Sequence, residues 1–318
     1  MNYGGFHYLY GPVFSRRLGR SLGIDLVPFK TCTYDCIYCQ LGRTTNKTTK
    51  RRSYVPIGEI LKELKIKLAA GETPDYISIA GSGEPTLHSR IGELIGMVKN
   101  MTTVPVAVLT NGSLLHLPEV SNALMQADLV IPSLDAGEER MFQYVNRPHP
   151  DISFDKMVAG IIEFTRIFPR EVWLEVLLVS GVTGLAADAK KIAAWTKKIG
   201  AKKIQLNTVC RPAAEEFACA VEKSSLKNLA GLFPGAVDVV GEKEPVYSGA
   251  SALQEAADEE IAQLLARRPC TISDVCSGLG LHPHEAAKKI KKLVDEKRIA
   301  VTRKGRNVFY RAAESARS

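Results

Sequence analysis

A chain of 318 residues, 45% hydrophobic and 24% charged, can bury a sizeable core with room for a small second domain, and its composition excludes a disordered chain. No apolar run approaches the roughly 20 residues of a membrane span, and MNYGGFHYLYGPVF lacks the charged-then-apolar order of a secretory signal, so the expected location is cytoplasmic, without a membrane partner. The formal charge of +8 suits a polyanionic partner and a small-substrate enzyme alike, while seven cysteines in a reducing compartment read as metal ligands, reactive thiols or small buried residues.

From about residue 21 to 210, β-branched runs alternate with amphipathic stretches, the pattern of βα units around a parallel sheet. The first strand, residues 21–28, leads into a cysteine-bearing loop and a helix at 56–70. The second, 76–81, runs into GSGEPT. The third, VPVAVLTNG, precedes a helix at 118–126, and the fourth, DLVIPSLD, ends at Asp135. After a helix at 154–168 come the fifth strand, EVWLEVLLVSG, a helix at 185–199, and the sixth strand, residues 202–209. Six units joined by right-handed crossovers give a partial (β/α)6 barrel or a doubly wound sheet, with function gathered beyond the strand carboxyl ends.

Residues 1–210 are thus read as the barrel and 211–251, with Pro212, Pro234 and Pro245, as a connecting region. Residues 252–318 form a third segment, with helices at 255–266, 272–278 and 283–297 and a hairpin turning at 304–307. That order is a small winged helix-turn-helix domain. It carries 13 Lys and Arg against 9 Asp and Glu, with Lys288, Lys289, Lys291 and Lys292 on the third helix and Arg303, Lys304 and Arg306 on the wing. Helix and wing are the expected contact for RNA or DNA, and protein docking is the competing role.

The chemistry centres on VPFKTCTYDCIYCQLGRTT, which sets Cys32, Cys36 and Cys39 at C-x3-C-x2-C spacing on one loop. Three thiolates leave one iron of a cubane cluster without a protein ligand, open to a substrate or cofactor. A structural zinc site would call for a fourth ligand, and the loop has no histidine; a C-x2-C redox pair would explain Cys36 and Cys39 but not Cys32. Three small buried residues are the remaining alternative.

On these residues the sequence resembles the radical S-adenosylmethionine (SAM) superfamily, whose signature is a C-x3-C-x-aromatic-C loop after the first strand of a partial barrel. Tyr38 takes the aromatic position. The resemblance implies a [4Fe-4S] cluster on Cys32, Cys36 and Cys39, S-adenosyl-L-methionine on its open iron, cleavage to a 5'-deoxyadenosyl radical, and a reductant such as flavodoxin or ferredoxin. It also implies that Gly81, Ser82, Gly83 and Glu84 approach the methionine ammonium, where glycines allow a close backbone. Asn111, Ser133 and Asp135 then face the carboxylate or ribose, and Asn207 and Val209 the adenine; turn and strand-end roles compete for Asn111, Asp135 and Asn207.

GPVFSRRLGRSLGIDLVP, GSGEPTL and NRPHP resemble the subgroup of wyosine-forming tRNA enzymes and their bacterial relatives, which implies hydrogen abstraction from an RNA base. Arg16, Arg17, Arg20, Arg147 and His149 are candidate substrate contacts. Lys30 lies near the loop without a sign of Schiff-base chemistry, and Cys210, Cys219, Cys270 and Cys276 read as buried or free thiols rather than a second cluster. Two other readings are a radical SAM enzyme of a small metabolite or protein, and an iron-sulfur DNA-binding regulator, which would not need the polar strand ends.

Overall fold

The computed structural model describes residues 6–15, 17–71, 73–239, 258–305 and 307–313. Arg16, Arg306, the boundary expected near residue 250 and the first turn of the helix expected from 255 lie outside the described residues. In chain order the strands are β1 (Leu9–Ser15), β2 (Gly19–Ile24), β3 (Thr31–Cys32), β4 (Asn46–Lys47), β5 (Tyr76–Ile79), β6 (Val106–Thr110), β7 (Leu129–Pro132), β8 (Glu171–Leu178), β9 (Lys203–Thr208), β10 (Val237–Val239), β11 (Ile299–Lys304) and β12 (Asn307–Ala312). The helices are α1 (Ile57–Ala69), α2 (Ile91–Met101), α3 (Pro118–Leu124), α4 (Glu139–Val145), α5 (Phe154–Ile167), α6 (Ala186–Ile199), α7 (Lys223–Ala230), α8 (Asp258–Arg267), α9 (Ile272–Leu279) and α10 (Pro283–Asp295). Among the described residues no helix is long and apolar enough to cross a membrane.

The chain divides into two compact units, one drawn from residues 1–24, 58–77 and 243–318, the other from 25–57 and 78–242. The second unit is an α/β fold with a parallel-strand sheet, running from the end of β5 through β6, β7, β8, β9 and β10. Strand β7, LVIP, is buried throughout, as a strand covered on both faces must be. In β8 the alternation is strict: Val172, Leu174, Val176 and Leu178 are buried while Glu171, Trp173, Glu175 and Leu177 are more exposed. Gln205 and Asn207 of β9 stand in register with Glu175 and Leu177, which puts three polar side chains on one face of the sheet. Helix α2 buries Ile91, Leu94, Ile95 and Val98 at helical spacing, and α6 ends at Gly200, whose left-handed backbone (φ 66°) closes the last turn without a Cβ penalty.

In the first unit β1 and β2 pair antiparallel, with a register shift between Tyr10 and Val13. Gly23 makes room for the Tyr10 ring, which would lie 2.0 Å from a Cβ there. Val13 shares one core with Ile261 and Leu265 of α8, Val275 and Cys276 of α9, and Ile290 and Leu293 of α10. Cys270 and Cys276 are buried in it and serve as small apolar residues. Strands β11 and β12 form an antiparallel pair, and Cys270 adds to its edge by exchanging backbone hydrogen bonds with Tyr310 at 2.9 and 2.7 Å. Thr271 and Asp274 cap α9 reciprocally.

Candidate functional site

The cysteine loop is closed at its base and pinned along its length. Strands β3 and β4 pair in parallel, joining Thr31 to Asn46 and Cys32 to Lys47. Between them the backbone N–H groups of Asp35 and Ile37 donate to the carbonyls of Asn146 (3.0 Å) and Val145 (2.9 Å), at the C-terminal end of α4. Asp35 also accepts from the Thr44 N–H at 2.6 Å, and the Thr44 hydroxyl donates to the Tyr34 carbonyl at 2.7 Å. Two successive tight turns, Cys39 N–H to Cys36 and Gly42 N–H to Cys39, carry the third cysteine past the second. Buried Ile37 seats the loop on Val145, Val179, Val209 and Ala218. Val209, expected against adenine, is thus largely occupied by this contact and only 6% exposed.

Each sulfur has its own donor. Asn111 Nδ2 lies 3.7 Å from Cys32 Sγ, Asn146 Nδ2 lies 3.5 Å from Cys36 Sγ, and Lys30 Nζ lies 3.4 Å from Cys39 Sγ. Burial, with Glu84 and Cys39 nearby, pushes the Cys32 thiol up to about 12. Burial followed by the neighbouring Cys39 and Cys32 likewise drives Cys36 well above the ordinary thiol range. A shell of N–H donors around thiols that resist ionisation alone suits sulfurs made anionic by a metal.

Asp135 and Tyr38 belong to the same shell. Asp135, at the end of the β7 region, accepts from the Tyr38 hydroxyl, from Asn146 Nδ2 at 3.1 Å and from the Leu177 N–H at 2.9 Å. Asn146 therefore links Asp135, Tyr38 and Cys36 through one amide. Sequence reasoning missed this role: from NRPHP it singles out Arg147 and His149, and the partner of Asn146, Cys36, lies 110 positions away.

The glycine-rich segment after β5 is held from below. Both Asp25 oxygens are taken by Ser82, through its N–H (3.0 Å) and its hydroxyl. A Cβ on Gly81 (φ 128°) would meet the Asp25 carboxylate at 2.8 Å, and one on Gly83 would meet the Thr31 carbonyl at 1.8 Å. Glu84 is 2% exposed and accepts from the Thr86 N–H (3.0 Å), the Thr86 and Thr110 hydroxyls (2.6 Å each) and the Asn111 N–H (2.7 Å). Burial raises its carboxyl, opposed by these hydrogen bonds. Replacing Glu84 with Ala leaves two buried backbone donors unpaired, so a loss of about 3 kcal/mol is expected in urea unfolding, against about 1 kcal/mol for Glu84→Gln.

Asn111 turns inward, donating to the Thr33 hydroxyl at 2.7 Å and accepting from the Ser113 N–H at 3.0 Å. Ser133 is half-buried and forms a backbone bridge to Glu175, and Asn207 donates to Glu175 at 3.1 Å. Beside Asn207 on the same strand, Gln205 is fully buried with both amide atoms unpaired among the described residues, as is the Tyr34 hydroxyl. Arg147 reaches Glu215 at 2.5 Å and His149 faces Asp151 at 3.4 Å. Cys210 and Cys219 are exposed, and Arg17 and Arg20 belong to the other unit.

The profile of the Radical SAM superfamily matches residues 26–190, the span that holds this loop and the strands around it. The chain belongs to the radical SAM superfamily. It is 33% identical over 305 residues to a UPF0026 protein of Helicobacter pylori, covering 95% of this chain and 96% of that one. A Brachyspira hyodysenteriae protein named GTPase Obg is 38% identical over 292 residues, 92% of this chain but only 43% of the relative. The present sequence contains no Gly-Lys pair, which a G-x4-G-K-[ST] phosphate loop requires. A "Probable dual-specificity RNA methyltransferase RlmN" of Streptococcus agalactiae is 23% identical over 180 residues, 53% of this chain and 47% of that one. Among solved structures, a radical SAM methyltransferase from Sphaerobacter thermophilus shares the fold with a TM-score of 0.52 at 17% identity, over 69% of this chain and 66% of that one.

Radical SAM enzymes use a [4Fe-4S] cluster and S-adenosylmethionine, and the residues present fit both. Among the described residues no three His, Cys, Asp or Glu side chains converge as ligands of a single metal ion would. A cubane asks for something different, since each thiolate binds its own iron and the three sulfurs surround a larger body. The three cysteine sulfurs, each beside its own N–H donor, and Gly81 and Gly83, whose backbones leave no room for a Cβ, are the features that fit the two groups.

Proposed function

We propose that this radical SAM enzyme abstracts hydrogen from an RNA base. The bound cofactors supply one-electron cleavage of S-adenosylmethionine and a 5'-deoxyadenosyl radical; the protein orients them and keeps water out. Cys32, Cys36 and Cys39 hold the cluster, and Asn111, Asn146 and Asp135 fix the loop that carries them. A reductant of the flavodoxin or ferredoxin kind delivers the electron.

The observation behind an RNA substrate is the charge of residues 43–52, RTTNKTTKRR, which begin four positions after Cys39 and hold five Lys and Arg without an acid. Arg43, Lys47, Lys50 and Arg52 are exposed. Such a strip at the rim of a cluster loop suits a phosphate backbone. Likeness to an RNA methyltransferase and to the wyosine subgroup supports the same substrate class. Residues 252–318 are read as a winged helix-turn-helix, a secondary contact for the polymer. Its basic helix is partly neutralised, because Lys289 and Lys292 of α10 pair with Asp258 at 3.4 and 2.6 Å.

Anaerobic, cluster-loaded enzyme is expected to bind a tRNA pool with an affinity that falls steeply with salt, and to form 5'-deoxyadenosine faster when that RNA is present. Lys50→Ala and Arg52→Ala should each lower the salt slope by about one. Binding that ignores salt, or cleavage unaffected by RNA but stimulated by a peptide or metabolite pool, would exclude the RNA reading.

A further inference from the structure

Lys30 combines three features foreign to an ordinary surface lysine. It is 3% exposed, its backbone is left-handed (φ 62°), and its ammonium donates to Cys39 Sγ at 3.4 Å and to the Gly42 carbonyl. A left-handed backbone costs a non-glycine residue about 1 kcal/mol or more, and a buried ammonium without a counter-charge costs several more. Among the described residues no carboxylate forms an ion pair with Lys30. The group placed to offset its charge is the Cys39 sulfur, anionic once it binds iron.

The backbone that carries the ammonium is also held. The Lys30 N–H donates to the Ser82 carbonyl at 2.7 Å, and the Lys30 carbonyl accepts from the Asn46 N–H at 3.1 Å. The residue's backbone is clamped between the glycine-rich segment and β4, and from there its ammonium reaches Cys39 and the Gly42 carbonyl. Buried charges are screened little by salt or water, so one fixed cation at this distance acts strongly on any change of charge beside it.

We propose that Lys30 is the built-in counter-charge of the cluster, a positioning residue that raises the cluster's reduction potential so that a biological one-electron donor can reduce it. In that step one electron enters from the external reductant and adds negative charge beside the ammonium; no bond changes and no proton leaves Lys30. The inference rests on the cluster common to the superfamily and is independent of the RNA reading.

The test is the midpoint potential of the reconstituted protein, followed by electron paramagnetic resonance in a dye-mediated titration with dithionite. Lys30→Gly removes the charge at a backbone angle that glycine adopts freely, and Lys30→Gln keeps an N–H for the Gly42 carbonyl while losing the charge. Both variants should hold the wild-type complement of iron and sulfide. At a fixed poise their ratio of oxidised to reduced cluster should rise at least tenfold, a fall of about 59 mV for a one-electron couple. An unchanged potential in either loaded variant overturns the proposal. Loss of the cluster from both also overturns it, by making Lys30 a scaffold residue; if only one loads, its potential decides.

Discussion

Cys36→Ala is expected to yield a folded chain that retains no intact four-iron cluster and forms no 5'-deoxyadenosine above background. On the proposed assignment three thiolates are the whole protein ligand set of the cluster, so losing one would expose a second iron to solvent and exchange. The fold should tolerate the change. The loop is fastened by the backbone bonds of Asp35 and Ile37 to Asn146 and Val145 and by the Thr44 contacts, none of which uses the Cys36 sulfur. Deleting one buried sulfur should therefore cost about 1 kcal/mol in unfolding of the cluster-free protein. Iron and sulfide analysis, visible absorption and mass spectrometry of the nucleoside product read the loss, and urea unfolding reads the intact fold. A variant that keeps a full cluster and cleaves the cofactor would refute the assignment of the trio.

The expected direction of assembly with pH follows from the same thiols. Cys32 titrates at about 12 and Cys36 well above the usual range, so each must give up a tightly held proton when iron binds. Metal uptake then releases protons and grows more favourable as pH rises.

What the sequence made legible is what local pattern encodes. The spacing of three cysteines after a strand is visible in any alphabet of residues, and strands β5 to β9 announce themselves as β-branched runs between helices; the predicted 202–209, for instance, is Lys203–Thr208 in the structure. Strand β1 escaped because Gly11-Pro12 interrupts LYGPVFS, which reads as a turn; the fold absorbs the pair with a register shift. Strand β10 has three residues and no period to detect. Side-chain partners were less legible still. The side chains of Glu84 and Ser82 bond to Thr86, Thr110, Asn111 and Asp25, partners that no local pattern names, while the backbone of this segment stays the expected contact for the cofactor. Charge shows the same limit: counting lysines on α10 pointed to the C-terminal helices, but Asp258, more than thirty residues upstream of Lys289, holds two of them.

Asp135→Asn is expected to remove a pH dependence of stability that the wild-type chain owes to one carboxyl. Burial pushes Asp135 up to about 6 from an ordinary value of 3.8, against the opposing pull of hydrogen bonds from Tyr38, Leu177 and Asn146. The native state thus holds a proton that the unfolded chain has released between about pH 4 and 6. Its contribution is complete below the unfolded value and is lost as pH rises through the folded one, about 3 kcal/mol over two units. Urea unfolding of cluster-free wild type and Asp135→Asn at pH 4, 5, 6 and 7 should show the wild type losing about 3 kcal/mol relative to the variant as pH rises; parallel curves would place the Asp135 titration elsewhere. Function should move the other way. Above pH 6 the ionised carboxylate accepts from Tyr38 and Asn146, and Asn146 in turn donates to Cys36 Sγ, so the charge that costs stability orients the donor on a cluster ligand. An asparagine presents an N–H where one of those acceptors stood. Near pH 7.5 the variant should keep its iron yet form 5'-deoxyadenosine about 10- to 100-fold more slowly, the range typical of removing a partner that aims a metal ligand.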